Sequence, residues 1–401
     1  MRTTWNFYSA GQLLFGSGSV RQIGELTQRR QLRRVLVVTD QVLLDVGIVD
    51  QVREPLQQAG VEVELFTESC AEPSLQVADA AITAAKSFQP DAIIGLGGGS
   101  NMDLAKITAA VCSHGGAPAD YFGFDKVPGP VLPLICVPTT AGTGSEVSHA
   151  AVLTDEANQI KVSTLSNYLR PALAIVDPLL TLSCPTSVTA DSGIDALTHA
   201  IEAYTATDFS VLEGTDDGPC AYEGRYPLGD VLAEKAIALV GQHLITAVQE
   251  PKNQQAREGM SLAATLAGMA FSNCGVALVH ALEYPLGGAL HCSHGAGNGL
   301  LLPYVMRFNL PERTETFGRI AQLLGEETGG LAPIDAAEKA ITAVEKLRQA
   351  IGIPARIRDI GGQESQLAGF AQKAFAIKRL LAVNPRRANE ADLVSIYRDA
   401  L

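Results

Sequence analysis

Asp195 and His199 are residues whose types and spacing suggest chemistry. They stand four positions apart in residues 190–204, whose Ala, Leu and Ile content predicts a helix with a start signal at Asp191 and Ser192. Residues four apart on a helix share one face, so the carboxylate and the imidazole point the same way. Such a pair suits a metal site, although a solvated or capping pair has the same spacing.

Two further histidines raise the case for a metal. His280 and His294 lie in a run of small and apolar residues, where burial of an unpartnered imidazole would be costly. One Asp and three His form a ligand set suited to a first-row metal. The sequence therefore predicts a metal site made by Asp195, His199, His280 and His294, with His291 as a nearby competitor for the last position.

Composition restricts the class of protein that carries these residues. The 401 residues are 47% hydrophobic and 18% charged, which predicts a globular protein of two domains. A net charge of −13 argues against nucleic acid or an anionic membrane as a partner. The amino terminus has no apolar signal-peptide core and no apolar run of about 20 residues is evident, so a cytoplasmic location is expected. The seven cysteines form no Cys-x-x-Cys pair and are expected to be reduced.

The elements that position the first half of the chain are short β-branched runs that alternate with helical segments. Runs at 35–39, 61–66 and 92–97 predict βαβ units and a parallel sheet, which binds ligands at the carboxyl ends of its strands. Asp40 follows the first of these runs. Its carboxylate can accept hydrogen bonds from a ribose diol and would repel a 2′-phosphate, which favours NAD over NADP; the alternative is a turn-initiating Asp.

A glycine-rich turn follows the strand at 92–97 and opens a helix. Three glycines allow the backbone to approach a pyrophosphate, and the N–H groups of the helix start can bind it. Another strand leads into residues 138–146, which are rich in hydroxyl groups, and a lysine follows in an alternating segment where an exposed strand lysine is the alternative. The candidate cofactor contacts are Asp40, Gly97, Gly98, Gly99, Ser100, Asp103, Thr139, Thr140, Thr143, Ser145 and Lys161.

After Asp177 and Pro178 the β-branched runs stop and helical patterns continue to the end of the chain. We therefore expect a NAD-binding α/β domain over residues 1–182 and an all-helical metal and substrate domain over residues 183–401. Residues 205–228 interrupt the helices with a long turn-rich insertion. Long loops inside domains are usually functional or disordered, so we expect a lid or substrate-selecting loop, with Arg225 as an anchor for an acidic substrate.

Four motifs together resemble the iron-containing (group III) alcohol dehydrogenase family. They begin at Gly97 (Gly-Gly-Gly-Ser-x-x-Asp-x-Ala-Lys), Pro138 (Pro-Thr-Thr-Ala-Gly-Thr-Gly-Ser-Glu-Val), Gly193 (Gly-Ile-Asp-Ala-Leu-Thr-His-Ala-Ile-Glu) and His280 (His-Ala-Leu-Glu-Tyr-Pro-Leu-Gly). The similarity covers nearly the whole chain. It implies a Rossmann-like dinucleotide-binding domain, a carboxy-terminal all-helical domain with the dehydroquinate synthase-like fold, and NAD with iron as cofactors. The family's metal ligands fall on the same Asp and three His, and its cofactor contacts include Asp40, residues 97–100, Thr139, Thr140 and Lys161.

The sequence departs from the family pattern at Tyr284, where many members carry a histidine thought to relay a proton. A phenol with a pKa near 10 is a poorer relay near neutrality. Tyr284 and the segment Ala221-Tyr-Glu-Gly224 are similar to the hydroxyacid-oxoacid transhydrogenase branch, which moves hydride between a hydroxy acid and an oxo acid. A dehydroquinate synthase-like cyclase would need more basic residues near the metal. The metal-free maleylacetate reductases lack ligands that are all present here.

These observations predict a metal-dependent oxidoreductase that transfers hydride between a small primary alcohol, or its aldehyde or ketone, and NAD. His280 and Tyr284 are the predicted catalytic residues, and the metal is expected to act as a Lewis acid. Ligand type alone does not separate Fe²⁺ from Zn²⁺, and the resemblance favours iron. The resemblance also implies a homo-oligomer, a dimer or larger.

Overall fold

The computed structural model describes residues 1–156, 160–212 and 220–401. The described chain divides into two compact units. The α/β unit comprises Tyr8–Cys184, and the helical unit comprises Pro185–Leu401 together with the amino-terminal residues Met1–Phe7.

The α/β unit is built on a six-stranded sheet whose neighbouring strands are all parallel, in the order β1-β9-β6-β4-β2-β3. A second, three-stranded sheet, in the order β5-β8-β7, was not predicted. The strands are β1 (Leu13–Phe15), β2 (Arg34–Val38), β3 (Glu62–Phe66), β4 (Ala92–Gly97), β5 (Gly123–Phe124), β6 (Leu134–Pro138), β7 (Ala150–Asp155), β8 (Ile160–Leu165) and β9 (Leu173–Val176). The helices are α1 (Ile23–Arg29), α2 (Gln41–Asp45), α3 (Ile48–Gln58), α4 (Leu75–Phe88) and α5 (Gly99–His114).

Alternate side chains of the six-stranded sheet supply two separate apolar cores. Val35 and Val37 of β2 belong to one buried cluster, and Leu36 and Val38 belong to the other. All four side chains are fully buried. A strand buried on both faces reads as a continuous apolar run, which explains why this strand was visible in the sequence. The predicted parallel α/β architecture is therefore confirmed.

The helical unit contains the described helices α6 (Thr186–Thr205), α7 (Pro227–Gln249), α8 (Gln254–Cys274), α9 (Leu278–Leu290), α10 (His294–Asn309), α11 (Thr314–Leu323), α12 (Pro333–Ala350), α13 (Glu364–Phe375), α14 (Lys378–Val383) and α15 (Glu390–Asp399). Helix α6 packs against α7, α8 and α10, and all of its residues from Gly193 to Thr205 are buried. A Cβ at Gly299 of α10 would lie 2.7 Å from Ile194, so the glycine lets α6 and α10 approach closely. The predicted helical carboxy-terminal domain is confirmed.

The start predicted for the metal-ligand helix was wrong. Helix α6 begins at Thr186, so Asp191 and Ser192 lie inside the helix instead of capping it. Asp191 instead accepts a hydrogen bond from Ser293 Oγ at 2.5 Å, and Ser293 is the amino-terminal cap of α10. Asp191, which resembles a helix cap in the sequence, thus connects α6 to α10. The sequence does not reveal this role, because the partner is distant along the chain.

Among the described residues, α7 alone is long and apolar enough to cross a membrane, and α8 with α9 would pass the same test as one segment bent by 105°. The apolar window of α7 is 44% buried inside the protein. Core helices of globular proteins commonly satisfy this criterion, so the finding is weak evidence for a membrane span.

Candidate functional site

Three neighbouring strands of the α/β unit bring the predicted cofactor motifs to one edge of the sheet. Asp40 follows β2, the glycine turn ends β4, and Thr139 follows β6. The sheet order places β4 between β2 and β6. The strand order reverses between β2 and β4, because β2 is followed by β3 on one side and β4 is followed by β6 on the other. Ligands of doubly wound sheets bind at such a switch point, outside the carboxyl ends of the strands.

The glycine turn has backbone geometry that a side chain would disrupt. Gly97 has φ +143°, and a Cβ there would overlap the amide of Asn101. A Cβ at Gly99 would lie 2.9 Å from Thr143 Cγ2. Helix α5 begins at Gly99. The first backbone N–H groups of a helix have no partner within it, so those of α5 can bind an anionic group. The turn therefore has the form expected of a pyrophosphate-binding loop.

Asp40 is positioned from two sides. Its Oδ1 accepts a hydrogen bond from Leu43 N at 3.0 Å, which caps α2, and its Oδ2 accepts one from Asn101 Nδ2 at 2.7 Å. Asn101 also donates to Leu96 O at 2.9 Å and accepts from Ser69 Oγ at 2.7 Å. Asp40 is thus the amino-terminal cap of α2, and Asn101 also holds its carboxylate beside the glycine turn.

The hydroxyl-rich loop at 138–146 is attached to the glycine turn. Thr139 N donates to Gly97 O at 3.0 Å, and Thr139 is buried. A Cβ at Gly98 would lie 3.7 Å from Thr140 Oγ1, so this hydroxyl is close to the turn. Thr143 Oγ1 accepts a hydrogen bond from Ser145 N at 3.3 Å.

Several side chains that were predicted to contact the cofactor form hydrogen bonds or ion pairs with other residues of the α/β unit. Ser145 Oγ donates to Asp103 Oδ1 at 2.7 Å and accepts from Lys106 Nζ at 2.7 Å. Ser100 Oγ accepts from the backbone N–H of Glu72, whose carboxylate pairs with Lys161 Nζ at 2.6 Å. The Lys161 side chain is only 10% exposed, unlike the exposed strand lysine of the alternative interpretation.

The predicted metal ligands lie on three helices of the helical unit. Asp195, His280 and His294 each offer one ligand atom, and these atoms all lie within 4.8 Å of one another. His199 stands beside them: its Nδ1 is 3.8 Å from Asp195 Oδ2, and its ring stacks on His280 with 4.8 Å between centroids. The four predicted residues are therefore brought together.

The chemistry of this cluster fits a divalent metal. Its donors are one carboxylate and imidazole nitrogens, the set preferred by first-row metals. Burial lowers the pKa of His199 to about 4, so the imidazole is neutral near pH 7, the form that binds a metal. His199 Nδ1 is buried and has no hydrogen-bond partner among the described residues. Burial favours a raised pKa for Asp195, but the neighbouring imidazoles outweigh it and the net pKa is lowered.

Three buried residues around this cluster were missed by sequence reasoning. Glu202 Oε2 lies 2.5 Å from His280 Nδ1, and Glu283 Oε2 lies 2.5 Å from His294 Nδ1. Asn298 Nδ2 lies 2.8 Å from Asp195 Oδ1, 3.2 Å from His280 Nε2 and 3.1 Å from His294 Nε2. The available signal was a polar residue inside an otherwise apolar helical run.

Tyr284 lies one turn after His280 on α9, with its ring centroid 5.9 Å from that of His294. Tyr222, from the insertion, is buried, and a Cβ at Gly275 would lie 3.0 Å from its ring. Burial raises the pKa of the Tyr222 phenol, and the electrostatic influence of Tyr284 adds to the shift. The insertion therefore contributes a buried phenol that packs beside Gly275, at the end of α8.

The insertion at 205–228 is attached to the helical unit at both described ends, and residues 213–219 lie outside the described chain. Arg225 does not have the role predicted for it: its guanidinium binds the Asp230 carboxylate from 2.9 Å and donates to Thr316 Oγ1 at 3.1 Å. An arginine neutralised in this way stabilises the end of the insertion and is a poor anchor for an acidic substrate. Arg2 binds Glu223 at 2.7 Å, so the amino terminus also contacts this segment.

Comparison with known proteins agrees with this geometry. The sequence pattern of the family described as "Iron-containing alcohol dehydrogenase" matches residues 10–178, and that described as "Fe-containing alcohol dehydrogenase family, C-terminal" matches residues 221–401. Long-chain-alcohol dehydrogenase 1 of Geobacillus thermodenitrificans is 40% identical over 96% of this chain and 94% of the relative. NAD-dependent methanol dehydrogenase of Bacillus methanolicus is 35% identical over 99% of this chain and 100% of the relative. A crystal structure of 1,3-propanediol oxidoreductase superposes with a TM-score of 0.93 at 36% identity, covering 100% of both chains.

The chain belongs to the iron-containing alcohol dehydrogenase family. It is a metal-dependent oxidoreductase of alcohols and their carbonyl partners, with NAD as the second hydride carrier and iron as the family's metal. The predicted family, fold, reaction class and cofactors are thereby confirmed, and the cyclase alternative is set aside.

Proposed function

We propose that Asp195, His199, His280 and His294 hold the iron of this alcohol dehydrogenase, and that its substrate is a small primary alcohol or the corresponding aldehyde. The observation that carries the proposal is the convergence of carboxylate and imidazole ligand atoms within 4.8 Å in the helical unit. Zn²⁺ would suit the same donors, so the metal found in the cell depends on supply as well as on the site.

The α/β unit is proposed to bind NAD through the residues at its sheet edge. The glycine turn at 97–100 and the start of α5 would receive the pyrophosphate. Asp40 would accept hydrogen bonds from the ribose hydroxyls, and its negative charge would disfavour the 2′-phosphate of NADP. Thr139 and Thr140 flank the turn, which supports their predicted contacts with the cofactor. Four other predicted contacts would support the cofactor site indirectly, because their side chains bind neighbouring protein groups. They are Asp103, Thr143, Ser145 and Lys161.

When bound, the metal supplies a Lewis acid for the substrate oxygen and NAD accepts or supplies hydride. The residues around the site would hold the metal and keep water from it. Asp195 provides the negative charge that a buried dication requires, and the buried rings of His199 and His280 would exclude water from their side of the metal site. Tyr284 lies beside His294, where its phenol can donate or accept a proton. An ordinary phenol has a pKa near 10, so acceptance of the alcohol proton is expected to be faster at alkaline pH, whereas donation of a proton during carbonyl reduction is expected to be slower there.

Two sequence features favour a second candidate, the hydroxyacid-oxoacid transhydrogenase. Tyr284 replaces the histidine of many family members, and the insertion contains the segment Ala221-Tyr-Glu-Gly224. Both features resemble that branch. In this version the insertion at 205–228 is a substrate-selecting segment. Deletion of residues 208–226 would then change substrate preference, whereas unchanged preference and affinity would remove this role.

We also propose a cytoplasmic enzyme that works as a dimer or a larger homo-oligomer. The net charge of −13 supports a freely dissolved protein. Strand β1 lies at the edge of the six-stranded sheet, and an edge strand can pair with a strand of a second copy. Light scattering of the purified protein measures the oligomeric state directly, and a monomer at micromolar concentration would reject this part of the proposal.

Isotope tracing separates the two candidate functions. The anaerobically iron-loaded protein receives NAD and a panel of alcohols and hydroxy acids deuterated at the carbinol carbon, with and without a 2-oxo acid. Deuterium that accumulates in free NADH with a primary alcohol supports the alcohol dehydrogenase. Deuterium that passes to the reduced 2-oxo acid without free NADH supports the transhydrogenase. Retention of all label in every alcohol and hydroxy acid would contradict both.

A further inference from the structure

We propose that Glu283 is a positioning residue of the metal site, which acts by holding the imidazole of His294. The inference rests on the ligand set in the proposed function. Glu283 Oε2 lies 2.5 Å from His294 Nδ1, and the Glu283 side chain is fully buried. A carboxylate at this distance accepts a hydrogen bond from Nδ1–H and so fixes the tautomer in which the Nε2 lone pair can bind a metal.

The geometry of His294 explains why it needs this support. Its side chain is 31% exposed, compared with 6% for His199 and 3% for His280. His199 is held between rings, with Phe271 stacked at 4.2 Å between centroids. His294 is the first residue of α10 and has less packing around its ring. A strong hydrogen bond to one ring nitrogen restricts both the rotation and the tautomer of such a side chain.

Two glycines leave room for the Glu283 side chain, because any larger residue at either position would collide with it. A Cβ at Gly297 would lie 2.8 Å from Glu283 Cγ, and a Cβ at Gly287 would overlap Glu283 Oε1. Glu283 Oε1 is buried without a hydrogen-bond partner among the described residues. A buried carboxylate with one unsatisfied oxygen is unfavourable for folding, which indicates that its contact with His294 serves function.

Glu202 makes the same contact with His280 but also has a structural role. It accepts hydrogen bonds from the backbone N–H groups of Ala277 at 2.9 Å and Val279 at 2.6 Å, at the start of α9. Loss of Glu202 would therefore disturb a helix as well as an imidazole. Within the described part of the chain, the Glu283 carboxylate makes no such contact with backbone N–H groups, so Glu283 is the better residue to test.

The carboxylates of Glu202 and Glu283 contact the same ring nitrogen of two different histidines. His280 and His294 are each held at Nδ1, so both present Nε2, and His294 Nε2 lies 3.9 Å from Asp195 Oδ1. A hydrogen-bonded carboxylate also makes the imidazole a stronger donor to the metal. Removal of such a partner in other metal sites weakens metal affinity or activity about 10- to 100-fold.

The test compares metal binding by Glu283→Gln with that of wild type and of a matched control. Glu234→Gln removes a carboxylate in the same helical unit that binds Tyr204 and Arg319, away from the proposed ligands. Fe²⁺ affinity is measured anaerobically by chelator competition, and the Co²⁺ derivative is examined by its visible absorption spectrum. We expect about 10- to 100-fold weaker Fe²⁺ binding and an altered Co²⁺ spectrum for Glu283→Gln, with the control within about twofold of wild type.

Wild-type affinity and an unchanged Co²⁺ spectrum in Glu283→Gln would overturn the proposal. If this variant does not fold, the Zn²⁺-loaded wild-type protein decides by ¹⁵N NMR of its histidines. The proposal predicts that His294 is protonated at Nδ1 and bound through Nε2, and the reverse pattern would overturn it. His294→Ala tests the proposed ligand set separately. If His294→Ala keeps wild-type affinity, the ligand set is wrong, whereas loss in His294→Ala but not in Glu283→Gln rejects only the role of Glu283.

Discussion

Replacement of Lys106 by Met should destabilise the α/β unit without affecting the helical unit. The Lys106 side chain is fully buried, and its ammonium donates to Ser145 Oγ and to Ala150 O, each at 2.7 Å. It lies 3.7 Å from Asp103 Oδ1. Methionine has a similar length and no charge, so the substitution removes the cation with little change in volume.

The expected magnitude follows from the group that is left behind. Without Lys106, the Asp103 carboxylate keeps two hydrogen-bond donors among the described residues, the Ser145 hydroxyl and the backbone N–H of Val152. Removal of one partner from a buried ion pair costs about 3–5 kcal/mol, because the other charge remains desolvated. Replacement of both charges in Asp103→Asn with Lys106→Met should recover much of this loss.

The pH dependence has a definite sign. Burial raises the pKa of Asp103 above its ordinary value, and removal of Lys106 raises it further. A raised pKa means that the folded state binds the proton more tightly than the unfolded state does. The loss in Lys106→Met should therefore be greatest above the folded-state pKa and should shrink as the pH falls through it.

Urea unfolding followed by two probes is the assay. Far-UV circular dichroism reports both units, whereas the single tryptophan, Trp5, belongs to the helical unit and stacks on Tyr226 at 4.4 Å. Lys106→Met should shift part of the circular dichroism transition to lower urea and leave the fluorescence transition in place. A cost below about 1 kcal/mol, or a double variant no better than the single one, would refute the reasoning.

Three further predictions concern catalysis and cofactor binding. Gly97→Ala should weaken NAD binding at least about tenfold, measured by titration calorimetry, because its φ is positive and a Cβ would meet Asn101; wild-type affinity would show that the turn tolerates a side chain. Asp40→Ser should keep a capping oxygen while reducing the preference for NAD over NADP at least about tenfold in kcat/KM; an unchanged ratio would place specificity elsewhere. Tyr284→Phe should lower kcat at least about tenfold with little change in KM and should alter the alkaline limb of the pH profile; an unaltered kcat would exclude the phenol from proton transfer.

The parts of the fold visible in the sequence are those with local signals. Continuous apolar runs located β2 and β4, and the glycines at 97–99 marked the turn between a strand and a helix. The four proposed metal ligands were also identifiable, because histidines are few and the helical spacing of Asp195 and His199 is a local property. Resemblance to a family then extended these signals to the whole chain.

What the sequence concealed depends on partners that are distant along the chain. Glu202 and Glu283 read as ordinary helix residues until the histidines they contact are known. The pairing of Asp191 with Ser293, 102 positions away, was mistaken for a local cap. Likewise, Arg225 looked like a free cation because its partner Asp230 lay beyond the insertion in which it was considered.

The proposed function requires that the alcohol dehydrogenase activity depends on a metal held by Asp195 and the three histidines. The most direct test strips the protein with a chelator, confirms by elemental analysis that it is metal-free, and follows NADH formation from small primary alcohols before and after anaerobic addition of Fe²⁺. We expect that activity disappears with the metal, returns with about one Fe²⁺ per chain, and does not return in Asp195→Ala. Undiminished NADH formation by the verified metal-free protein would contradict it.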